Sequence, residues 1–321
     1  MSRNHDRTTV AVVGVGAVGS TTAFSLMTRG VASELVLVDV DEARATGEMM
    51  DLSHGAYFTP PVDVTTGGYE ECADADVVVV TAGAAQKGGE TRLELLERNV
   101  DIFEEMIPQI AEAVDDDAVL LVVTNPVDVL SYVTWELADL PHEQVVGSGT
   151  VLDTSRFRHV LSDLCDVDPQ NVHGYVVGEH GDSEVPLWSS TNVAGIPIGE
   201  FLAQRGETLD DENRAALTDQ VREAAYEIIE RKGVTNYAIA LAATEIVEAV
   251  VRDERSVLPV STLVTDQYGV DEVYLSLPCV LGRGGVEAVV DPVLSETERE
   301  RLTESATVLA ESRRRLGRYG E

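Results

Sequence analysis

The chain is 321 residues long and 44% hydrophobic, enough for one large or two modest domains with a sizeable core. Its 23 Lys and Arg stand against 57 Asp and Glu, a formal net charge of −34. A field this negative excludes nucleic acid and anionic membrane surfaces as partners. In chain order, Met1 to Thr9 is short and polar and does not read as a signal peptide. Thr9–Val13, Leu35–Val40, Val77–Thr81 and Val119–Val123 follow as short, Val-rich, nearly continuous apolar runs. Such runs suit parallel strands buried on both faces. Helical patterns such as Gly19–Thr28 and Arg92–Val114 lie between them, and this alternation predicts a doubly wound parallel sheet.

From about Val151 the pattern changes. Asp153–Leu164 predicts a helix and Val172–Gly178 a strand. A long helix is expected from Asp211 to Arg231, with Leu217, Val221, Ala225 and Ile228 on one stripe. Tyr237–Val251 is apolar around most of its circumference and is expected to be buried, in the core or against another subunit. Leu258–Thr262 and Val273–Val280 predict strands of a smaller sheet. Ser295 and Glu298 form a capping-box pattern ahead of a helix with Leu302, Leu309 and Leu316 on one stripe. The expected class is therefore α/β, with a dinucleotide-binding Rossmann domain at residues 1–150 and an α+β substrate domain at 151–321. No linker separates them.

The acids are scattered along the whole chain and lysine is confined to Lys87 and Lys232, the composition of a protein that works in molar salt. Three cysteines without a CxxC pair fit free thiols in a reducing cytosol. No apolar run reaches the roughly 18 residues of a membrane span. A cytoplasmic protein with no bound metal is expected.

Gly14-Val15-Gly16-Ala17-Val18-Gly19 follows the first strand and opens a helix. Gly14 permits the tight turn, Gly16 lets backbone approach a pyrophosphate, and Gly19 lets helix and strand pack closely. The helix N-terminus offers N–H groups to the phosphates. Asp39, twenty residues beyond Gly19, ends the second strand. A carboxylate there accepts hydrogen bonds from ribose hydroxyls and repels a 2′-phosphate, so NAD is expected rather than NADP.

In the second half, His180 lies between glycines in Gly178-Glu-His-Gly-Asp182. Asp153 and Arg156, at i and i+3, share one helix face and can present a carboxylate and a guanidinium to one cleft. A carboxylate beside an imidazole raises its pKa and fixes its tautomer. A guanidinium can clamp a substrate carboxylate bidentately. Reduction of a 2-keto acid needs this set: a proton donor, a partner that keeps it protonated, and a carboxylate anchor.

With these residues in place the chain resembles the lactate/malate dehydrogenase family from Thr9 to about Ala310. The resemblance rests on the glycine motif and on five others. They are Gly47-Glu-Met-Met-Asp-Leu52, Thr81-Ala82-Gly83, Asn125-Pro-Val-Asp128, Leu152-Asp-Thr-Ser-Arg-Phe-Arg158 and Gly178-Glu-His-Gly-Asp-Ser183. The resemblance implies reversible hydride transfer between NADH and a 2-keto acid. His180 would be the acid/base, Asp153 its partner, and Arg156 the anchor for the substrate carboxylate. It implies that Arg92 polarises the reacting carbonyl and that Asn125 and Thr235 line the substrate pocket. Ala17, Val18, Thr81, Ala82, Gly83 and Asn125 would join Gly14, Gly16, Gly19 and Asp39 around the cofactor. A homotetramer is also implied.

Six residues before Arg92 stands Gln86, as in the lactate-type branch; malate-type members usually carry Arg there. A second substrate carboxylate buried without a partner costs several kcal/mol, so Gln86 favours the methyl group of pyruvate. Lys87 is the competing source of charge, although adjacent loop side chains usually point apart. Two other readings stand beside this one: a malate dehydrogenase acting on oxaloacetate, and a non-catalytic NAD-binding sensor on the same fold. The second would have kept His180, Asp153, Arg156 and Arg92 without needing them.

Overall fold

The computed structural model describes residues 7–84 and 92–319. The first half alternates strand and helix: β1 Thr9–Val13, α1 Ala17–Arg29, β2 Glu34–Val38, α2 Glu42–Gly55, β3 Asp63–Gly67, β4 Val77–Val80, α3 Arg92–Ala113, β5 Val119–Val122, α4 Val127–Ala138 and β6 Val145–Gly147. These six strands are parallel and lie in the order β3-β2-β1-β4-β5-β6, the doubly wound arrangement that the alternation predicts. β1, β4 and β5 are buried at every position, as parallel strands covered on both faces must be. Each fully buried Val or Leu here contributes roughly 1.5–3 kcal/mol relative to exposure. The strand order reverses between β1 and β4, so the loops after those two strands diverge there and leave a crevice at the carboxyl edge.

The second half contains α5 Val151–Cys165, β7 Val172–His173, β8 Val176–Val177, β9 Val185–Pro186, β10 Asn192–Val193, β11 Ile196–Pro197, α6 Ile198–Ala203, α7 Asp211–Lys232, α8 Tyr237–Val251, β12 Ser256–Gln267, β13 Val270–Gly282, β14 Gly285–Val289 and α9 Glu296–Arg315. Three expectations need correction. The strands around 258–262 and 273–280 do not form a smaller sheet of their own. They are the longer β12 and β13, and with β14 they extend the parallel sheet to nine strands among the described residues. The junction is the antiparallel contact of Ser261 with Gly147, which covers the edge of β6 that would otherwise expose unpaired backbone. Tyr268 and Gly269, at φ 52° and 75°, turn the hairpin, a left-handed pair not announced by the usual Asn-Gly signal. The expected strand Val172–Gly178 is broken at Gly174-Tyr175, because β7 pairs with β10 while β8 pairs with β9. On α7, Val221 is buried, but Ile228 is exposed together with Tyr226 and Ile229, so the stripe leaves the core before the helix ends.

Burial of α8 holds only for its second part: it is buried from Ala242 to Val251 apart from Glu245 and packs on α1 within the same chain, whereas Tyr237 and Leu241 are exposed. α9 has its capping box, with Ser295 and Glu298 exchanging hydrogen bonds, and Leu302, Leu309 and Leu316 are buried beneath it.

Candidate active site

The crevice is built from the carboxyl ends of β1, β2, β4 and β5. Gly14 has φ +91°, and a Cβ there would stand 2.4 Å from the Ala82 nitrogen. A Cβ on Gly19 would stand 1.9 Å from the Gly14 oxygen. These two glycines are required by the packing of the chain itself. Gly16 is different: no protein atom lies within 4 Å of the position its Cβ would take. Its glycine character is not a demand of the fold, and it suits close approach by a group from outside the chain. α1 begins there with no side-chain cap and no acid in its first turn, so its leading N–H groups and positive dipole end are left for an anion. The residues therefore fit a dinucleotide pyrophosphate.

Asp39 follows β2 directly. Its Oδ2 accepts the Val15 N–H at 2.7 Å and its Oδ1 accepts the Asp41 N–H at 2.9 Å, so it fixes the glycine turn and keeps further lone pairs for a ligand. It lines a cleft of about 400 Å³ with Val38, Thr46, Thr66 and Tyr69 among its walls, room for a nucleoside. Replacement by Ser keeps one acceptor and removes the charge. Two like charges about 4 Å apart near a protein surface repel by about 4 kcal/mol. Asp39→Ser should raise the NADP-to-NAD ratio of kcat/KM by about tenfold or more, read by initial rates with each dinucleotide. An unchanged ratio would place Asp39 away from the ribose.

The loop after β4 is held by two residues that face it. The Thr81 hydroxyl donates to the Gly14 carbonyl at 2.5 Å, and the Thr124 hydroxyl donates to the Ala82 carbonyl at 2.8 Å. Gly83 is crowded by the Thr124 methyl group. Ala17 and Val18 open α1 on the other side of the turn. Asn125 lies in the turn after β5, before a cis peptide to Pro126. Asn99 of α3, 1% exposed, accepts the Ala84 N–H at 2.7 Å and donates to the Asn125 carbonyl at 2.9 Å. Sequence reasoning missed Asn99; its signal is an amide set within the apolar stripe Leu96, Val100 and Phe103.

The chemistry side of the crevice brings together residues 27 apart. His180 Nδ1 lies 2.5 Å from Asp153 Oδ2, and the Arg156 guanidinium donates to Asp153 Oδ1 at 2.9 Å. Asp153 is 2% exposed. Burial works against its charge, but His180 and Arg156 outweigh burial and hold the carboxyl below its usual range. Burial alone would lower the imidazole pKa; Asp153, with Asp128 and Glu184 behind it, pushes it up to about 9. With Nδ1 engaged, Nε2 is the nitrogen left for a ligand. Arg156 spends one N–H on Asp153 and keeps the rest of its fork.

In the sequence, Asp128 stands out only as the last residue of Asn125-Pro-Val-Asp128. It is 2% exposed at the start of α4 and accepts the main-chain N–H of His180 at 2.8 Å and the Ser261 hydroxyl at 2.6 Å. It therefore ties the His180 loop to α4 and to β12. Burial pushes its pKa up to about 6 against those two hydrogen bonds.

Thr235 stands half-buried between α7 and α8, and its neighbour Asn236 donates to the Thr21 hydroxyl of α1 at 2.9 Å, which holds that segment against α1. Gln86 and Lys87 lie outside the described residues, as does the side chain of Arg92, whose backbone begins α3.

Comparison with known proteins agrees with this geometry. Residues 8–147 match the family model of the lactate/malate dehydrogenase NAD binding domain, and residues 150–315 match that of the alpha/beta C-terminal domain. An L-lactate dehydrogenase of Clostridium botulinum is 50% identical over 309 residues, covering 96% of this chain and 97% of that protein. L-lactate dehydrogenase 1 of Clostridium acetobutylicum is 48% identical over 305 residues, 95% and 97% of the two chains. A crystal structure of a lactate dehydrogenase enzyme from a Medee basin deep-sea metagenome library superposes with TM-score 0.93 at 42% identity, over 97% of this chain and 99% of that one. A minor L-lactate dehydrogenase from Enterococcus mundtii gives TM-score 0.91 at 40% identity, over 95% and 97%. On both family models and on these relatives, the chain belongs to the lactate/malate dehydrogenase family.

Proposed function

We propose that this chain is an L-lactate dehydrogenase, reducing pyruvate to L-lactate with NADH and running in reverse. The observation that carries the reading is the buried His180–Asp153–Arg156 array, in which one carboxylate holds both a proton donor and an anion clamp. The nicotinamide, when bound, supplies or accepts the hydride at C2. Arg156 binds the substrate carboxylate with its remaining N–H groups and sets the orientation of the keto carbon. His180 Nε2 donates a proton to the developing alkoxide, and Asp153 offsets the imidazolium charge before transfer. In the reverse direction, neutral His180 takes the hydroxyl proton. Arg92 steadies the alkoxide charge. Residues 1–150 serve as the dinucleotide domain and 151–321 as the substrate domain. Asn125 and Thr235 complete the pocket.

Initial rates with pyruvate and oxaloacetate, each with NADH, test the reading; a preference for oxaloacetate would make the chain a malate dehydrogenase, and no turnover of either would leave an NAD-binding sensor. Gln86→Arg should move the ratio of kcat/KM from pyruvate toward oxaloacetate by about 10²-fold or more, since the guanidinium pairs with the second carboxylate and is left unpaired by pyruvate. A variant with the parental ratio would transfer the role to another residue, Lys87 first. The working state we infer is a homotetramer in the cytoplasm. Exposed Tyr57 and Phe58 after α2 and the outward apolar residues of α7 support burial between subunits. Three buried free cysteines fit a reducing compartment. No helix among the described residues is long and apolar enough to cross a membrane.

A further inference from the structure

Glu184 joins the His180 loop to β9 and is 5% exposed. Its Oε1 is buried and has no hydrogen-bond partner among the described residues. The charged groups that face it come from three elements: His180 on its own loop, Asp153 and Arg156 on α5, and Arg222 on α7. Arg222 is not a hydrogen-bonded partner. Its guanidinium donates to Asp219 at 3.1 Å, and its buried Nε is itself unpartnered among the described residues. A buried carboxylate oxygen without a donor is the disfavoured form of the group. Burial and then the Asp153 charge push the Glu184 pKa up to about 8, against the pull of His180, Arg222 and Arg156.

Arg156 is the link to the substrate. It already carries Asp153, and a 2-keto acid adds a second carboxylate to its fork. An ionised Glu184 would be a third negative group in the same low-dielectric cluster, competing for the same cations. A protonated Glu184 would not. Resting on the functional reading above, we propose that Glu184 is a positioning residue for substrate capture: it admits the substrate carboxylate to Arg156 while its own carboxyl is protonated and opposes that carboxylate once ionised. The proton is taken from solvent as the anion binds and returned as the anion leaves, and no substrate bond is touched.

The test is KM for pyruvate at saturating NADH across roughly pH 6 to 9.5, in the wild type and in Glu184→Gln, whose amide is neutral throughout. Wild-type KM should rise in two steps, the first belonging to Glu184 and the second to His180. The variant should lose the first step. Near pH 8.5 its KM should lie about fourfold below the wild type, the factor for a group titrating at about 8, and the change should fall on KM rather than kcat. Superimposed KM profiles would overturn the proposal. So would a variant KM above the wild type at alkaline pH, because Glu184 would then act by keeping the proton on His180. If the variant does not fold, the wild type decides by proton uptake. Oxamate, a pyruvate-shaped anion, added to the NADH complex in weak buffer at pH 7.5 should take up on the order of a quarter of a proton per chain. His180 is already protonated there. No uptake would overturn the proposal. A wild-type chain that reduced no 2-keto acid would sink the functional reading and this inference with it; superimposed profiles with turnover intact would sink the inference alone.

Discussion

Replacement of His180 by asparagine is expected to lower kcat for pyruvate reduction by about 10³- to 10⁴-fold, toward the upper range of general acid catalysis. Asparagine has no proton to give at neutral pH, so the developing alkoxide would have to draw on water in a closed site. The substitution leaves the surroundings largely intact. The hydrogen bond to Asp128 comes from the main-chain N–H of residue 180 and does not depend on the side chain. Asp153 keeps Arg156, and an amide at position 180 can still donate to it. The glycine turn and Asp39 are held by Val15, Asp41 and Thr81, so NADH affinity should stay within about twofold. Steady-state rates together with titration of NADH fluorescence separate the two quantities. Turnover near the wild-type value would remove His180 from the proton-donor role, and a parallel loss of NADH binding would point to a collapsed fold.

Asp153→Asn should lower kcat/KM for pyruvate near pH 7.5 by about 10²-fold, and it should also move the pH profile. Burial lowers the His180 pKa, but Asp153 with Asp128 and Glu184 together outweigh burial and raise the value to about 9. Reduction needs the protonated imidazole, so beyond the smaller Glu184 step near pH 8 wild-type kcat/KM for reduction should fall steeply above that region. Oxidation of lactate needs the neutral imidazole and should rise through the same region. Without the carboxylate, burial is the largest remaining influence, and it favours the neutral ring. The reduction limb should therefore shift to lower pH, while oxidation becomes less dependent on pH above neutrality. Arg156 would lose its buried partner as well, which adds a rise in KM. A variant whose reduction limb stayed near the wild-type position would show that Asp153 does not keep His180 charged.

Much of the first half was legible from local pattern. A strand covered on both faces must be apolar at nearly every position, so Thr9–Val13, Val77–Val80 and Val119–Val122 declare themselves without any partner in view. The glycines of the turn and Asp39 follow at fixed offsets because the turn, the helix start and the ribose carboxylate lie within one βαβ unit. Asp153 and Arg156 were readable as one face of one helix, since i and i+3 are neighbours by helix geometry alone. Tertiary structure decided the rest. That His180 meets Asp153 required bringing together segments 27 residues apart, and Asp128 reaches the His180 main chain across 52 residues and Ser261 across 133. Such bonds leave no periodicity, because neither partner's local sequence constrains where the other arrives. Asn99 and Glu184 were missed for the same reason: burial of a polar group is a property of what packs over it. The join of β12 to β6 rests on the pairing of Ser261 with Gly147, and alternation along β12 fixes which faces are apolar but not which strand edge it covers. Sequence determined the elements and the residue types of the site, because propensity, capping and turn chemistry act over a few residues; the tertiary fold decided register, burial and the charge each buried group carries, because those depend on contacts from distant parts of the chain.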